Sequence, residues 1–439
     1  LGLSIIAGLF FGTIPVVRVL RGSLTSVFRE QGRTGTASRK ALAVRGGLVV
    51  AQVSTAFALL IAAGLMIASF LRTLQVETGF TAENLITASV ALSPTRYTNA
   101  EQRTAAQEQI LARVRAIPGV AAAGATDVLP FTSDRNSSAF SPADYVPQPG
   151  ESVYAPVNSA VSPGYFEAMG IELVRGRWFD HTDTRQSQRV FVIDEWLANR
   201  YWPGQDPIGK QAFEGVRGIG LDDDIELRTI VGVVKNVRVA GYNGDQPNGH
   251  FYYAAPQRSI ARFYVVIRTR VEPTSLVGAL RAAVTGYDPD LPVYDVQTMK
   301  ERMADSLAAD RLRLFLVIGF AFIALFLSAV GLYGVLAYTV TQRTSEMGIR
   351  MALGSSAREI FRLVLIHGLR LTAIGLGIGL TASLALSRLI RGLLFNVQPN
   401  DPLVFVSVLV VLAVTAALAC LLPARRATRI DPLVALKEA

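Results

Sequence analysis

Gly204-Gln205-Asp206-Pro207-Ile208-Gly209-Lys210 has the outline of a loop that wraps a nucleotide phosphate: two glycines separated by four residues, then a lysine. Two features remove that chemistry. Position 211 is Gln where a Mg²⁺-binding Ser or Thr belongs, and the segment follows a helix-like stretch, Asp194–Tyr201, instead of a strand. The expectation is a turn-forming loop. No other stretch has phosphate-loop spacing, so the chain is not expected to hydrolyse ATP by itself. Asp222, Asp223, Asp224 and Glu226 could neutralise a cation, but their spacing is not that of a calcium loop, and a solvated loop is expected. His181, His250 and His367 are scattered, no His-Glu-x-x-His occurs, and Cys420 is the single cysteine. No Gly-x-Ser-x-Gly elbow is present either. Lacking nucleophilic, metal or paired-acid chemistry, the chain is expected to be no enzyme and to use no metal or cofactor.

The stretch with most to say is Thr341–Gly368. It reads as a short helix over 343–353 stopped at Gly354, followed by a new helix opened by the capping box Ser356-Ala357-Arg358-Glu359. Arg343, Glu346 and Arg350 would give the short helix a charged edge, and Met347, Met351 and Leu353 an apolar one. Such a helix, held between two membrane helices, can dock into a groove on a partner and pass on rigid-body motion. It can equally lie on a lipid surface. Near the end of the chain, Asp431 suits an N-cap with Pro432 at the first helical position, and Leu433 and Leu436 give that helix an apolar side.

The elements that would hold this helix are apolar runs. Hydrophobic residues make up 51% of the 439 and charged residues 18%, with mean hydropathy +0.36. That balance argues against disorder and against a purely soluble enzyme. Runs at 1–17, 46–71, 314–340, 371–387 and 403–422 approach or exceed the ~20 residues that span a bilayer core. Gln52 is the only amide in the second run and is expected to form an interhelical hydrogen bond. Gly375 and Gly379 have small-xxx-small spacing, which allows close helix approach. The net charge is +9, yet residues 72–311 hold 24 basic and 28 acidic residues. The basic excess is concentrated in 18–45, 341–370 and the tail after 422, which alternation of the spans places on one side. That side should be the cytoplasm. The excess is therefore not a nucleic-acid footprint, and no nucleic-acid partner is expected. Anionic membrane lipid is. Arg388 and Arg391, in an external turn, run mildly against this assignment.

The expected organisation is then a membrane helix at 1–20, a basic linker at 21–45, a span at 46–71 and an external domain at 72–311. Beyond it come a span at 312–341, the short-helix region at 342–362, a span at 363–390, a turn at 391–402, a span at 403–422 and a tail at 423–439. Within 72–311, strand–helix–strand patterns recur at about 85–128 and 262–296, separated by a strand- and loop-rich insertion at about 131–260. The fold class expected is an α-helical membrane protein with a large inserted α/β domain, ferredoxin-like through its split βαβ units. A polar helix over 297–310 is expected to stand as a stalk.

At these residues the chain resembles the MacB/FtsX-type permeases of ABC systems. The matching elements are Gln342-Arg343-Thr344-Ser345-Glu346-Met347-Gly348-Ile349-Arg350-Met351-Ala352-Leu353-Gly354, then Ala424-Arg425-Arg426-Ala427 through Asp431-Pro432 to Ala435-Leu436. Trp202-Pro203-Gly204 through Asp206-Pro207-Ile208-Gly209-Lys210 resembles a segment of the family's periplasmic core domain, which also accounts for the false phosphate loop. The resemblance covers about 46–439 and implies a bacterial inner-membrane, multi-pass permease with residues 72–311 outside the cytoplasm. It implies that a cytoplasmic ABC ATPase binds the helix at about 343–354, through Arg343, Glu346, Met347, Arg350, Met351, Leu353 and Gly354, and that its motion reaches the periplasmic domain for export or release of a substrate. The run at 1–17, ending in Pro15-Val16-Val17-Arg18 and Leu24, precedes a complete four-span unit. This is similar to duplicated orphan permeases of acidobacterial type, so the chain is expected to be the C-terminal half of a longer protein and to pair as a dimer or pseudo-dimer with a second permease unit. Orphan members lack a fused ATPase, which leaves the energy source open. A regulator without transport, whose external domain binds a cell-envelope enzyme or adaptor, is the competing expectation.

Overall fold

The computed structural model describes residues 36–75, 77–145, 154–215, 226–239, 249–353, 355–389 and 397–428. The run at 1–17, Asp222–Asp224, Gly354, Arg391 and the tail from 429 onward lie outside the described residues. The chain divides into two units, Leu1–Ser69 with Arg313–Ala439, and Phe70–Leu312.

In chain order the described elements begin with helix α1 (Thr36–Leu74), β1 (Leu85–Ala91), α2 (Ala100–Arg115), β2 (Val120–Thr126), β3 (Phe140–Pro142) and β4 (Val157–Val161). Next come α3 (Tyr165–Met169), β5 (Leu173–Gly176), β6 (Val190–Asp194), α4 (Glu195–Tyr201), β7 (Gln211–Glu214), β8 (Arg228–Val234) and β9 (His250–Ala254). The sheet unit closes with β10 (Arg262–Thr269), α5 (Val277–Thr285), β11 (Val293–Thr298) and α6 (Met299–Ser306).

The strand order is β11-β1-β10-β2-β4-β9-β6-β8-β7-β3, with β5 on β8. β10 runs antiparallel to both β1 and β2 and lies between them, and β11 lies antiparallel on the far side of β1. This is the split βαβ order expected from the repeated strand–helix–strand pattern. Asn99 starts α2 with a capping box: its Oδ1 accepts from the Gln102 N–H at 2.8 Å, and the Gln102 side chain reaches back to the cap. Ile110, Leu111 and Val114 of α2 and Leu280 and Val284 of α5 then cover Ile86, Ala88, Val90, Phe263, Val265 and Ile267. The opposite face packs Leu85, Tyr264 and Val266 against Tyr165, Phe166 and Met169 of α3. With both faces covered, β1 and β10 are buried nearly throughout and do not alternate with polar residues.

The polar helix expected as a stalk packs instead on the sheet. Met299, Met303 and Leu307 stand four residues apart and enter the core beside Leu85 and Tyr264, with Met299 fully buried. This narrow stripe is masked in the sequence by the charges around it. Buried Arg302 donates from Nε to Thr87 Oγ1 at 2.7 Å and pairs through Nη1 with Asp295 Oδ2 at 2.7 Å. The insertion joins the same sheet through one β2–β4 pair, Thr126 with Val161. It has its own aromatic core of Phe140, Phe191, Phe251, Tyr253 and Trp202.

The helical unit contains α7 (Ala308–Gln342), α8 (Thr344–Ala352), α9 (Ala357–Leu389) and α10 (Pro402–Ala427). Among the described residues four helices are long and apolar enough to cross a membrane: Ala43–Leu74, α7, α9 and α10. Small residues set their separations. A Cβ on Gly375 would stand 2.8 Å from Val53 Cβ, and one on Gly379 3.0 Å from Phe57 Cβ, so α9 lies close against α1. Ser54 Oγ bonds to Gly375 O at 2.8 Å at this contact. The expected interhelical bond of Gln52 is not made through its oxygen. Its Oε1 is buried against Gly331 of α7 and has no hydrogen-bond partner among the described residues.

Candidate functional site

α7 ends where the Arg343 N–H folds back onto Thr339 O and Val340 O, and Thr344 Oγ1 bonds to Val340 O at 3.1 Å and Thr341 O at 2.9 Å. This tight turn releases α8. The helix ends at Leu353, after which the Ser355 N–H bonds to Arg350 O at 2.9 Å. α9 is then opened by Ser356 and Glu359, with Ser356 N–H to Glu359 Oε2 at 3.0 Å and Glu359 N–H to Ser356 Oγ at 3.4 Å. Both ends of α8 are thus tied by local hydrogen bonds.

α8 has two unlike faces. Met347 is 4% exposed and packs with Val340, Ile360 and Val364, while Met351 is half-buried on the same cluster. The structure thus places both methionines on the inner face and separates them from Leu353, with which the sequence grouped them as one apolar edge. The reason is the ring of apolar side chains from α7, α9 and α10 that needs filling there, which local amphipathicity does not reveal. The outward face carries Glu346, Ile349, Arg350 and Leu353, spaced i, i+3, i+4, i+7. Ile349 is 44% exposed and Leu353 83%. Arg350 pairs with Glu346 at 2.7 Å. Ile349 was missed among the sequence candidates, although its spacing from Glu346 and Leu353 puts it on their face. Arg343 lies in the turn before α8, on the inner side. Gly375 and Gly379 serve the α1–α9 contact, remote in sequence from α8.

On the inner side, a cavity of about 380 Å³ opens between α7, α8 and α9. Arg343, Arg362, His367 and Arg370 supply its polar wall together with Glu359, and Leu336, Val340, Met347 and Val364 supply apolar wall. The same end of the unit carries Arg45, whose guanidinium lies 3.8 Å from the Tyr338 ring centre.

The other sequence candidates fall elsewhere. In the 204–210 loop the Gly209 N–H bonds to Ile230 O at 2.8 Å, the Gln205, Ile208 and Lys210 N–H groups bond locally, Lys210 bonds to Gln205, and Gly204 and Gly209 take positive φ, so the loop is a turn against β8. Glu226 pairs with Arg189 and Arg228. His250 forms a contact not foreseen. Its Nε2 lies 2.8 Å from Ser159 Oγ, the spacing of a nucleophile and its base. Both side chains are buried, 0% exposed for Ser159 and 3% for His250, so the pair is closed to substrate and acts in packing. Burial pushes the His250 pKa down to about 3, which keeps the ring neutral. Burial also pushes Asp194, the N-cap of α4, up to about 7 against the pull of its bond from the Leu197 N–H.

Comparison with known proteins accounts for both units. Residues 52–287 match the MacB-like periplasmic core domain, and residues 318–432 match the FtsX-like permease C-terminal domain. The macrolide export ATP-binding/permease protein MacB of Neisseria gonorrhoeae is 26% identical over 299 residues, covering 63% of this chain and 43% of the relative. The protein of the same name from Rhodospirillum rubrum is 27% identical over 288 residues, covering 62% and 42%. The matched chain thus spans less than half the length of these relatives. Among solved structures, the periplasmic region of MacB from Actinobacillus actinomycetemcomitans aligns with TM-score 0.33 at 14% identity, covering 51% of this chain and 93% of that one. The periplasmic core alone takes in more than half of the sequence, and the chain belongs to the family of permeases that combine a MacB-like periplasmic core domain with an FtsX-like permease domain.

Proposed function

We propose that the chain is the membrane subunit of an ABC-type system in the bacterial inner membrane, with the sheet unit on the periplasmic side. In this reading a cytoplasmic ATPase docks on α8, and its motion is transmitted to the sheet unit for export or release of a periplasmic substrate. The chain supplies no ATPase of its own. The observation that carries the reading is the outward face of α8: two exposed apolar residues, Ile349 and Leu353, flank the Glu346–Arg350 pair on a short helix fixed between two candidate spans. Exposed leucine beside a formed ion pair is the pattern of a docking edge, since the apolar pair supplies buried area and the charges supply register. The basic residues at the α8 end of the helical unit, Arg45, Arg343, Arg350, Arg362, Arg425 and Arg426, favour the cytoplasm for that end. Pairing with a second permease unit would present two such helices to two ATPase subunits.

The test exchanges the charges, Glu346→Arg with Arg350→Glu, in the full chain. The exchange keeps an ion pair within α8 and reverses what a partner meets. Co-purification with the candidate ATPase should fall by at least about tenfold, as expected when two interfacial charge contacts turn repulsive. Unchanged co-purification would overturn the reading.

A further inference from the structure

The inner side of α8 offers a site of a different kind. We propose that the cleft between α7, α8 and α9 binds the phosphate headgroup of an anionic phospholipid from the cytoplasmic leaflet. The inference rests on the membrane orientation given above and adds a ligand at the inner face of the coupling helix.

Three observations converge on it. First, the cleft gathers more cations than acids. Arg343, Arg362 and Arg370 line it, and none forms an ion pair with an acid among the described residues. Its one acid, Glu359, is held by the Ser356 N–H at the start of α9. Arg350, on the opposite face of the same short helix, does have its acid. Second, the cleft is amphiphilic. Leu336, Val340, Met347 and Val364 form its apolar wall, and Leu363 and Ile366, 40% and 42% exposed, stand between the arginines of α9. A free phosphate ion gains nothing from such a wall, whereas acyl chain and glycerol carbons do. Third, the cations are placed on separate elements. Arg362 and Arg370 lie two turns apart on α9, about 12 Å along its axis, and Arg343 lies in the turn after α7. Guanidinium forks match phosphate oxygens in paired hydrogen bonds, and basic pockets between membrane helices on the cytoplasmic side suit acidic headgroups. A volume near 380 Å³ is within the range of small-ligand pockets. A headgroup seated there would touch Arg343 and Met347 on the α8 side and Arg362 and Arg370 on the α9 side. It would thereby fix the angle at which α8 presents its outward face.

The experiment uses the full chain in nanodiscs of phosphatidylcholine, of an equal mixture of phosphatidylcholine and phosphatidylglycerol, and of phosphatidylcholine with added inorganic phosphate. Retained ligand is counted by native mass spectrometry after detergent exchange. Wild type should keep phosphatidylglycerol. Arg362→Gln with Arg370→Gln should lower retention by roughly tenfold or more. Arg362→Lys with Arg370→Lys, which keeps the charge, should restore much of it and show that loss in the Gln variant is not misfolding. Arg425→Gln with Arg426→Gln removes equal charge from the end of α10 and should change retention little. Equal loss in both Gln pairs, or equal retention of phosphatidylcholine, overturns the proposal. Inorganic phosphate that binds as firmly and displaces the lipid reassigns the site to a free anion and also overturns it. Labelling of a cysteine introduced at Ser355 by a membrane-impermeant thiol reagent added to intact cells would instead defeat the membrane orientation, which separates the two failures.

Discussion

In the sheet unit Arg96, Arg177, Arg262 and Arg302 each lie 2.5–2.7 Å from a carboxylate, and Asp183, Asp288 and Arg302 in those pairs are almost buried. In the helical unit Arg350 has Glu346, while Arg343, Arg362 and Arg370 have no acidic partner among the described residues. The two units also differ in how closely packed backbone is approached. A Cβ on Gly124 of β2 would stand 2.4 Å from Tyr165 Cα and 2.5 Å from its nitrogen, whereas one on Gly64 or Gly368 would first meet the side-chain ends Val404 Cγ1 or Cys420 Sγ. Paired arginines and backbone-limited contacts make a body that holds its own shape. Unpaired arginines and side-chain-limited contacts make one whose charge is directed at something else and whose helices can shift against yielding side chains.

The largest effect expected from this contrast is at Gly124. Gly124→Ala forces α3 away from β2 and should destabilise the sheet unit by about 3 kcal/mol or more. Gly368→Ala, against the Cys420 Sγ, should cost about 1–2 kcal/mol. All three tryptophans, Trp178, Trp196 and Trp202, belong to the sheet unit, so their fluorescence follows its unfolding within the full chain. A Gly124→Ala protein that unfolds with the wild-type midpoint would remove the backbone-limited half of the contrast.

The next effect is in pH. Asp194 titrates near 3.8 when unfolded and about 7 when folded, so the stability it contributes is present below about pH 4 and is lost as pH rises through 7. His250 runs the other way. Its unfolded value is 6.5 and its folded value about 3, so its contribution is present above 6.5 and lost as pH falls. Between about pH 4 and 6.5 the two slopes oppose. Asp194→Asn, which keeps the acceptor that caps α4, should leave stability rising with pH over that window by about 2–3 kcal/mol. Tryptophan-monitored unfolding at several pH values measures it. A variant profile parallel to wild type would show that Asp194 is charged in the folded protein.

The split βαβ core was legible because its signals are local: apolar runs at 85–91 and 262–269, and Ile110, Leu111 and Val114 one helical turn apart. What escaped depends on partners distant in sequence. Met299, Met303 and Leu307 make a stripe too thin to outweigh the polar residues between them, and only the sheet beneath shows its use. The insertion's strands join the core sheet through one ladder pair, Thr126–Val161, which no sequence period encodes. For α8 the amphipathic pattern was plain, yet which edge turns inward depended on Val340, Ile360 and Val364 waiting on α7 and α9. The Ser159–His250 contact arises from the parallel pairing of β4 with β9, 91 residues apart.

The smallest effects bear most directly on the two uses of arginine. Arg302→Ala removes the bonds to Thr87 and to the carboxylate and carbonyl of Asp295 at a site 5% exposed and should cost the sheet unit about 2 kcal/mol, although the Thr87 hydroxyl keeps its bond to Gln297 O. Arg350→Ala breaks an i, i+4 pair whose side chains are nearly half exposed, and such pairs contribute at most about 0.5 kcal/mol. Its stability should be unchanged within error while ATPase association falls. If Arg350→Ala instead melted the chain early and left association intact, Arg350 would be a structural residue like Arg302, and the exposed edge of α8 would lose its charged anchor.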